Sequence, residues 1–224
     1  MKAMILAAGR GERLRPLTDR IPKPLVEVGG VSLIERHIVS LKKAGITEIV
    51  INTAWLPEKL VDALGNGESL GVNIYWSHEI PGGLETAGCI KKALPLLGTD
   101  PFIVVNGDTL VDCDYASFAV HDLGDSYAHL WLTENPPHHP EGDFSIENGL
   151  VVNKPGFTFS GVAMYAPKAF EPVPEEKIPL RPWLSKWMEE GKVSGEMLNG
   201  AWFDAGTLQR IAAIEDYLTA KERK

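Results

Sequence analysis

The chain opens with KAMILAAGRGER, residues 2–13, where a short apolar run ends at two closely spaced glycines. The run from Lys2 to Ala8 predicts a strand that is buried on both of its faces. Gly9 and Gly11 permit a tight turn that presents backbone N–H groups to an anion without interference from Cβ atoms. The stretch therefore predicts a buried first strand that leads into a cradle for phosphate groups.

A basic loop continues from this turn, although the protein as a whole is acidic. Between Arg10 and Lys23 there are five cations and two anions, hence a local charge of +3, whereas the whole chain carries −8 at pH 7. An acidic protein is poorly suited to binding nucleic acid or an anionic membrane. The loop is therefore either a solvated segment of chance charge or a site for a small anionic molecule.

Beyond this loop, strands and helices are predicted to alternate. Predicted helices run from the Ser32–Glu35 capping box to Gly45, from Pro57 to Leu64 and from a Thr86 cap towards Leu94, and predicted strands cover Glu48 to Thr53, Val72 to Trp76 and Phe102 to Val105. This alternation predicts an α/β fold with a Rossmann-like, doubly wound, mostly parallel central sheet. Ligands of such sheets bind at the carboxyl ends of the strands, so the Gly9 to Arg13 loop and Asp108 are expected on one rim.

The second half has the pattern of a β-rich lobe. Predicted strands cover Ala128 to Thr133, Leu150 to Asn153 and Phe157 to Tyr165, and predicted amphipathic helices cover Leu180 to Glu190 and Leu208 to Ala220. No internal repeat or linker divides the sequence. We therefore predict one domain over residues 1–224, built from the halves 1–125 and 126–224.

The composition is that of an ordinary folded protein. Hydrophobic residues make up 44% and charged residues 23% of the chain, which excludes collagen-like and disordered classes. Cys89 and Cys113 form no CxxC pair, so a cysteine zinc finger is excluded and both are expected to be buried thiols in a reducing compartment. The apolar run from Met4 to Ala8 is too short for a signal peptide or a membrane span. A cytoplasmic protein is therefore expected.

Three motifs together carry a family resemblance. LAAGRGERLRPLT at residues 6–18 is followed by PKPL at residues 22–25, and Gly107-Asp108 follows a predicted strand. In these motifs the chain resembles the sugar-1-phosphate nucleotidylyltransferases, whose signature is LAAGxGxR[LM]xPLT followed by PKP[LM]. The resemblance extends over essentially the whole chain and implies the nucleotide-diphospho-sugar transferase fold. Residues 84–88, 106–108, 138–144 and 192–196 look most like the N-acetylmuramate α-1-phosphate uridylyltransferases, a subfamily of peptidoglycan recycling in the bacterial cell wall.

The resemblance implies a reaction and the residues that carry it. An NTP, here UTP, would react with a sugar 1-phosphate, here N-acetylmuramate α-1-phosphate, to form UDP-MurNAc and pyrophosphate. Arg13 and Lys23 would be the catalytic cations, and Asp108 and Asp204 would bind Mg²⁺, for which hard carboxylate oxygens are suitable ligands. The alternative role for Asp204 is to cap the last helix.

The same resemblance implies binding residues for both substrates. The nucleotide-binding residues would be Leu6, Ala8, Gly9, Gly11, Glu85, Thr86 and Gly88 in the first half, and the sugar-binding residues would be Asn106, Gly142, Asn153 and Ser160. Asn153 stands where some relatives have an acid. A sugar that bears a carboxylate would be repelled by that acid, whereas an amide can donate a hydrogen bond to it.

Other functions share some of these features. Mannose-1-phosphate guanylyltransferase and glucose-1-phosphate thymidylyl- or uridylyltransferase use the same phosphate-binding motifs, and a non-catalytic nucleotide-sensing subunit is the alternative of another class. His138 and His139 are expected in a solvent-facing turn rather than at a metal. The expected partners are the two substrates, without nucleic acid or membrane, and the expected state is a monomer or small homo-oligomer.

Overall fold

The first predicted strand, β1 (Ala3–Leu6), lies inside an eight-stranded sheet in the computed structural model, which describes residues 1–223. The other strands are β2 (Glu27–Val28), β3 (Val31–Ser32), β4 (Glu48–Thr53), β5 (Asn73–His78), β6 (Phe102–Asn106), β7 (Thr109–Cys113), β8 (Ala128–Thr133), β9 (Phe144–Glu147), β10 (Leu150–Tyr165), β11 (Val193–Met197) and β12 (Gly200–Asp204). The helices are α1 (Leu33–Lys43), α2 (Pro57–Leu64), α3 (Glu85–Leu97), α4 (Ala116–Ala119), α5 (Arg181–Glu189) and α6 (Leu208–Glu222).

Along the main sheet the strand order is β11-β8-β10-β6-β1-β4-β5, with β9 paired to β10. β1 is parallel to β4 and β6, and β4 is parallel to β5. β10 runs antiparallel to β6 and β8, while β11 is parallel to β8. The predicted α/β fold with a largely parallel central sheet is therefore confirmed.

β1 is covered on both faces, as its continuous apolar sequence predicts. Ala3 and Ile5 pack into one core with Ile38 of α1, whereas Met4 packs into the opposite core with Ile90 of α3. Burying a side chain as large as Met4 or Ile5 contributes about 1.5–3 kcal/mol to the stability of the fold. The strand is thus held in register by both helix layers, and its carboxyl end is a rigid starting point for the loop that follows.

The helix boundaries follow the capping signals in one case and not in another. Ser32 Oγ accepts the Glu35 N–H at 3.3 Å and the Glu35 carboxylate accepts the Ser32 N–H at 3.2 Å, which forms the predicted capping box of α1. The prediction that Thr86 caps the third helix is wrong. Leu84 is the N-cap of α3 and provides no side-chain cap, while its own N–H donates to the Glu79 carboxylate at 2.6 Å.

The second half differs from its prediction in strand length and number. β10 is one strand of 16 residues where two were expected, and register shifts against β8 and β9 let it bend. β7 and β12 were not predicted and form a separate two-stranded ribbon. Cys89 is buried as expected, but Cys113 is only partly buried at the end of β7.

Within residues 1–223, no helix combines the length and apolar character needed to cross a membrane.

Candidate active site

A cavity of about 1050 Å³ opens at the carboxyl ends of β1, β4 and β6. It is lined by ten of the residues that the sequence analysis nominates, namely Leu6, Ala8, Gly9, Gly11, Arg13, Lys23, Glu85, Thr86, Asn106 and Asp108. These residues come from four separate segments of the chain. The sheet topology therefore brings the basic loop and Asp108 to one rim.

The loop after β1 owes its shape to Gly11. Gly11 has a φ of +68°, in the left-handed region, and a Cβ there would lie 2.9 Å from the Thr18 side chain. Thr18 Oγ1 also donates to the Gly11 carbonyl at 2.8 Å. At Gly9, by contrast, a Cβ would meet no protein atom within 4 Å. Gly11 is thus required by the fold of the loop, whereas the open side of Gly9 leaves backbone accessible to a ligand.

Lys23 is held rigidly at the wall of the cavity. Its side chain is only 8% exposed, and Nζ donates to Asp108 Oδ2 at 2.5 Å. Pro22 and Pro24 flank it and restrict the backbone of the short 3₁₀ helix Lys23–Leu25. A buried cation of this kind is stable only when it is paired, so Lys23 and Asp108 form one preorganised unit facing the cavity.

The β7–β12 ribbon brings the two predicted metal ligands together. Asp204 pairs with Thr109, and the Ala205 N–H donates to the Asp108 carbonyl at 3.2 Å. The buried side chain of His37 contacts the ribbon, with its Nε2 2.8 Å from the Thr109 carbonyl oxygen. Asp108, in the turn before β7, and Asp204, at the end of β12, therefore lie beside each other, although 95 residues separate them in the sequence.

Asp204 is already engaged by the side chains of Arg210 and His138. Its Oδ1 accepts from Arg210 at 2.5 Å and from the Gly206 N–H at 3.0 Å, and its Oδ2 lies 2.8 Å from His138 Nε2. His138 lies in an exposed turn, as expected, but its imidazole also contacts the Asp204 carboxylate, which the sequence did not indicate. Thr207 caps α6 instead of Asp204, since its side chain accepts the Arg210 N–H. The Asp204 carboxylate is therefore not needed as the N-terminal cap of α6.

The donor set fits a hard divalent cation such as the family generally uses. Asp108 Oδ1 has no hydrogen-bond partner among residues 1–223 and its side chain is 39% exposed. At Asp204 a cation would have to replace His138, whose side chain is 36% exposed and can rotate away. Two carboxylates beside a phosphate-binding loop are the usual protein ligands of Mg²⁺, which takes its other ligands from water and phosphate.

A buried polar network that the sequence analysis missed connects opposite sides of the cavity. Asn52 is 2% exposed, accepts the Ala7 N–H through Oδ1 at 2.8 Å and donates to Glu79 at 2.6 Å. Glu79 in turn accepts the N–H of Leu84, the residue before α3. The signal available in the sequence was a polar residue near the end of the apolar strand β4.

The start of α3 carries a strained backbone beside the cavity. Glu85 has a φ of +56°, a conformation that costs a non-glycine residue about 1–3 kcal/mol. Thr86 follows it on the cavity wall. Gly88 does not line the cavity; its N–H donates to the Ile178 carbonyl at 3.2 Å, and a Cβ there would lie 2.1 Å from the Glu176 carbonyl oxygen. Gly88 is therefore a packing glycine, which corrects its assignment as a nucleotide contact.

The predicted sugar-binding residues are not all brought together. Asn106 lines the cavity and packs against Gly161. Ser160 is fully buried and donates its hydroxyl to the Trp131 carbonyl at 2.6 Å, so the expected sugar contact is wrong for this side chain. Gly142 and Asn153 lie outside the cavity lining, and the Gly142 N–H already points to the His139 carbonyl at 3.3 Å.

The family model described as nucleotidyl transferase matches residues 2–133, which include the glycine loop, Lys23 and Asp108. The chain belongs to the nucleotidyl transferase family. This nucleotidyl transferase is 52% identical over 220 residues to N-acetylmuramate alpha-1-phosphate uridylyltransferase of Neisseria meningitidis serogroup B, with 94% of this chain and 95% of that protein covered. The identity therefore extends through the second half of the chain as well as the glycine loop.

Two further relatives mark the range of the nucleotidyl transferase family. The chain is 31% identical over 221 residues to mannose-1-phosphate guanyltransferase beta-A of Xenopus laevis, which covers 92% of this chain but 61% of that protein. A crystal structure from Bacillus anthracis, provisionally assigned as a glucose-1-phosphate thymidylyltransferase and solved with sucrose, superposes with a TM-score of 0.87 at 24% identity. It covers 97% of this chain and 94% of its own, so the two proteins share the fold.

Proposed function

We propose that the protein transfers a uridylyl group from UTP to N-acetylmuramate α-1-phosphate, forming UDP-MurNAc and pyrophosphate for peptidoglycan recycling. The observation that carries this proposal is the 52% identity to the Neisseria meningitidis enzyme over 94% of the chain. In this proposal residues 1–125 bind the nucleotide and residues 126–224 bind the sugar. The structure supports it with a cavity where a basic loop meets paired Lys23 and Asp108.

The mechanism needs alignment and charge neutralisation rather than a protein nucleophile. A phosphate oxygen of the sugar attacks the α-phosphorus, and a new P–O bond forms as the bond to the departing pyrophosphate breaks. The open backbone at Gly9 and the Arg13 guanidinium bind the triphosphate. Lys23, held in place by Asp108, stabilises the charge that develops around the α-phosphorus.

We further propose that the cation is Mg²⁺, held by Asp108 and Asp204. When bound, it supplies Lewis-acid stabilisation of the phosphate oxygens. His138 then competes for Asp204, because its Nε2 lies 2.8 Å from Oδ2. The Asp204–Arg210 contact at 2.5 Å holds the carboxylate in position at the site.

Arg181 supports the choice of a sugar that carries a carboxylate. Its Nη2 donates to Asn153 Oδ1 at 2.8 Å, its guanidinium lies 4.2 Å from the centre of the Phe144 ring, and half of the side chain is exposed. A guanidinium with exposed N–H groups can bind a lactyl carboxylate in a bidentate manner. An Asn153→Glu variant should therefore lose preference for the muramate over the glucosamine phosphate, and an unchanged preference would remove Asn153 from the specificity site.

The deciding experiment measures pyrophosphate release over a matrix of nucleoside triphosphates and sugar 1-phosphates. UTP with N-acetylmuramate α-1-phosphate should give the highest kcat/KM. Lys23→Ala and Asp108→Ala should each lower kcat/KM by about 100-fold or more. Lys154→Ala is the matched control, since this exposed lysine only pairs with Glu147. Asp108→Asn repeats the test with the shape of the side chain retained, and thermal unfolding checks every variant.

The alternatives give different results in the same experiment. A preference for GTP with mannose 1-phosphate would favour the activity named for the Xenopus laevis relative. Nucleotide binding without turnover on any sugar phosphate would indicate a sensing subunit.

The contact between His138 and Asp204 makes a separate prediction about the metal. His138→Asn should lower the Mg²⁺ concentration needed for half-maximal activity by a factor of about 3–5, since removing a competing side chain is worth up to about 1 kcal/mol at a partly exposed site. His139→Asn is the control, because His139 pairs with Asp143 at 3.3 Å instead. A half-saturating Mg²⁺ concentration that is the same in both variants would show that His138 does not compete.

A further inference from the structure

Two histidines and a glutamate converge at a place that the proposed reaction does not use. His129 lies on β8, Glu196 lies on β11, and His121 belongs to the segment between α4 and β8. The metal-binding atoms of the three side chains all lie within 4.8 Å of one another.

This cluster is separated from the cavity mainly across the main sheet, because β8 and β11 lie two and three strands away from β6. His129 pairs with Met164 of β10, and Met164 pairs with Ile103 near the beginning of β6. The cavity lies at the other end of β6, at Asn106 and Asp108. The cluster is therefore separate from the two carboxylates assigned to the catalytic cation.

His129 has a nitrogen that the protein leaves unsatisfied. The side chain is 4% exposed, and its Nδ1 lies 2.9 Å from Ser194 Oγ. Its Nε2 is buried without a hydrogen-bond partner among residues 1–223, and the nearest carboxylate oxygen, Glu196 Oε1, is 3.8 Å away. A buried polar atom without a partner is unfavourable and calls for a physical explanation. Glu196 and His121 both lie beside this ring, and the centroids of the two imidazoles are 3.8 Å apart.

Hydrogen bonds around the cluster orient the side chains of His129 and Glu196 for binding a cation. When Nδ1–H donates to Ser194, the lone pair of His129 is on Nε2, on the side of the cluster. The Trp131 Nε1–H donates to Glu196 Oε1 at 2.7 Å and orients that carboxylate. Such second contacts are typical of metal-binding histidines and carboxylates.

We propose that His121, His129 and Glu196 form a binding site for a divalent transition metal, for which Zn²⁺ is the best match. Two imidazoles and one carboxylate are a common zinc ligand set, whereas Mg²⁺ requires mostly oxygen ligands. Zinc–ligand bonds are about 2.0–2.2 Å long, so the ligand atoms must move somewhat closer together. The Glu196 side chain is 55% exposed and His121 is only partly buried, so both can make this adjustment. The fourth position would be taken by water.

The site would tie the segment before β8 to the edge of the main sheet. β11 is the end strand of the sheet, and His121 lies outside it. A bound ion would therefore stabilise the folded chain without contacting the nucleotide cavity.

The test titrates Co²⁺ into chelator-treated protein in the presence of excess Mg²⁺, which occupies oxygen-rich sites. The site should give the visible d–d absorption of four-coordinate Co²⁺, lost when Zn²⁺ is added, and Zn²⁺ should raise the melting temperature. His121→Asn and Glu196→Gln, both at the surface, should abolish the band, and Ser194→Ala should weaken Zn²⁺ binding by about 10-fold. His139→Asn is the matched control and should retain the band.

Three outcomes would overturn the proposal. One is the absence of the absorption band in the unaltered protein. Another is a band that survives in both His121→Asn and Glu196→Gln. The third is an equal loss in His139→Asn, which would place the ion at the His139 and Asp143 pair. Circular dichroism of each variant shows whether the fold is retained, so that loss of the band is not mistaken for unfolding.

Discussion

Gly9 and Gly11 are two residues apart but are glycines for different physical reasons. Gly11 adopts a left-handed φ of +68° and is packed against Thr18 and Lys23. Gly9 has neither constraint, since a Cβ there would meet open space inside the cavity lining. The fold therefore requires glycine at residue 11, whereas only a ligand that approaches the backbone would require it at residue 9.

Gly9→Ala should separate binding from folding. The free energy of unfolding should stay the same or rise by about 0.4–1 kcal/mol, because alanine restricts the unfolded chain. The KM for the nucleoside triphosphate should rise by about tenfold or more, because the added methyl group blocks close approach of the phosphates. Gly11→Ala should instead destabilise the protein by about 1–3 kcal/mol. Urea unfolding and steady-state kinetics measure both effects, and an unchanged KM in Gly9→Ala would contradict phosphate binding at this loop.

At the scale of elements, the end of β1 and the start of α3 are connected through one buried side chain. Asn52 of β4 bonds to the Ala7 N–H on one side and to Glu79 on the other, and Glu79 accepts the N–H of Leu84. The two walls of the cavity thus share one hydrogen-bonded path. The separation of the two walls is therefore set by β4, which belongs neither to the glycine loop nor to the start of α3.

Asn52→Leu should loosen both walls at once. The substitution leaves the Ala7 N–H without its acceptor, which should cost about 1–3 kcal/mol of stability. The KM for the nucleotide should rise more than kcat falls, because binding depends on the spacing of the walls. Asn73→Leu is the control, since Asn73 bonds only to Glu48 at an exposed position and its loss should change stability by less than about 0.5 kcal/mol. Equal effects of the two substitutions would disprove a positioning role for Asn52.

For the molecule as a whole, two buried histidines link stability to pH. His37 lies beneath the β7–β12 ribbon, with Nδ1 2.7 Å from the Tyr115 hydroxyl and Nε2 2.8 Å from the Thr109 carbonyl oxygen. Burial lowers the pKa of His37 from 6.5 to about 4. Burial likewise lowers the pKa of His129, to about 3. Both rings are therefore neutral in the folded protein at pH values where they are charged in the unfolded chain.

The sign of the pH effect follows from proton uptake. Between pH 6.5 and 4 the unfolded chain binds more protons at these two histidines, so the stability present above pH 6.5 is lost as the pH falls. Each histidine contributes a slope of about 1.4 kcal/mol per pH unit in this window. His37→Gln should therefore lower the slope measured by urea unfolding by about 1.4 kcal/mol per pH unit, whereas His139→Gln, at an exposed turn, should leave it unchanged. An equal slope in the unaltered protein and in His37→Gln would show that His37 does not control it.

Much of the fold could be predicted because its signals are local. β4, β8 and α2 have the predicted bounds, since each is a continuous apolar or periodic run between clear turn residues. Ten of the predicted site residues line one cavity, because a parallel sheet collects the ends of its strands on one rim. The roles proposed for them remain predictions.

The remaining features could not be predicted because each depends on a partner far away in the chain. His138 lies 66 residues before Asp204 and carries no local signal of their contact. Ser160 and Gly88 were misplaced because burial of a short side chain depends on the strand or loop packed over it. The same holds for the convergence of His121, His129 and Glu196.

The amino-acid sequence by itself determined the strand and helix alternation, the glycine turn, the basic loop and the family, since these rest on residue type and short spacing. Only the tertiary structure decided which side chains meet. It paired Lys23 with Asp108, placed Asp204 on the strand beside Thr109, and left His129 Nε2 facing a glutamate and a second histidine. The physical reason is that hydrogen bonds and ion pairs act over a few ångströms in space, and strand pairing, not sequence distance, sets which groups come that close.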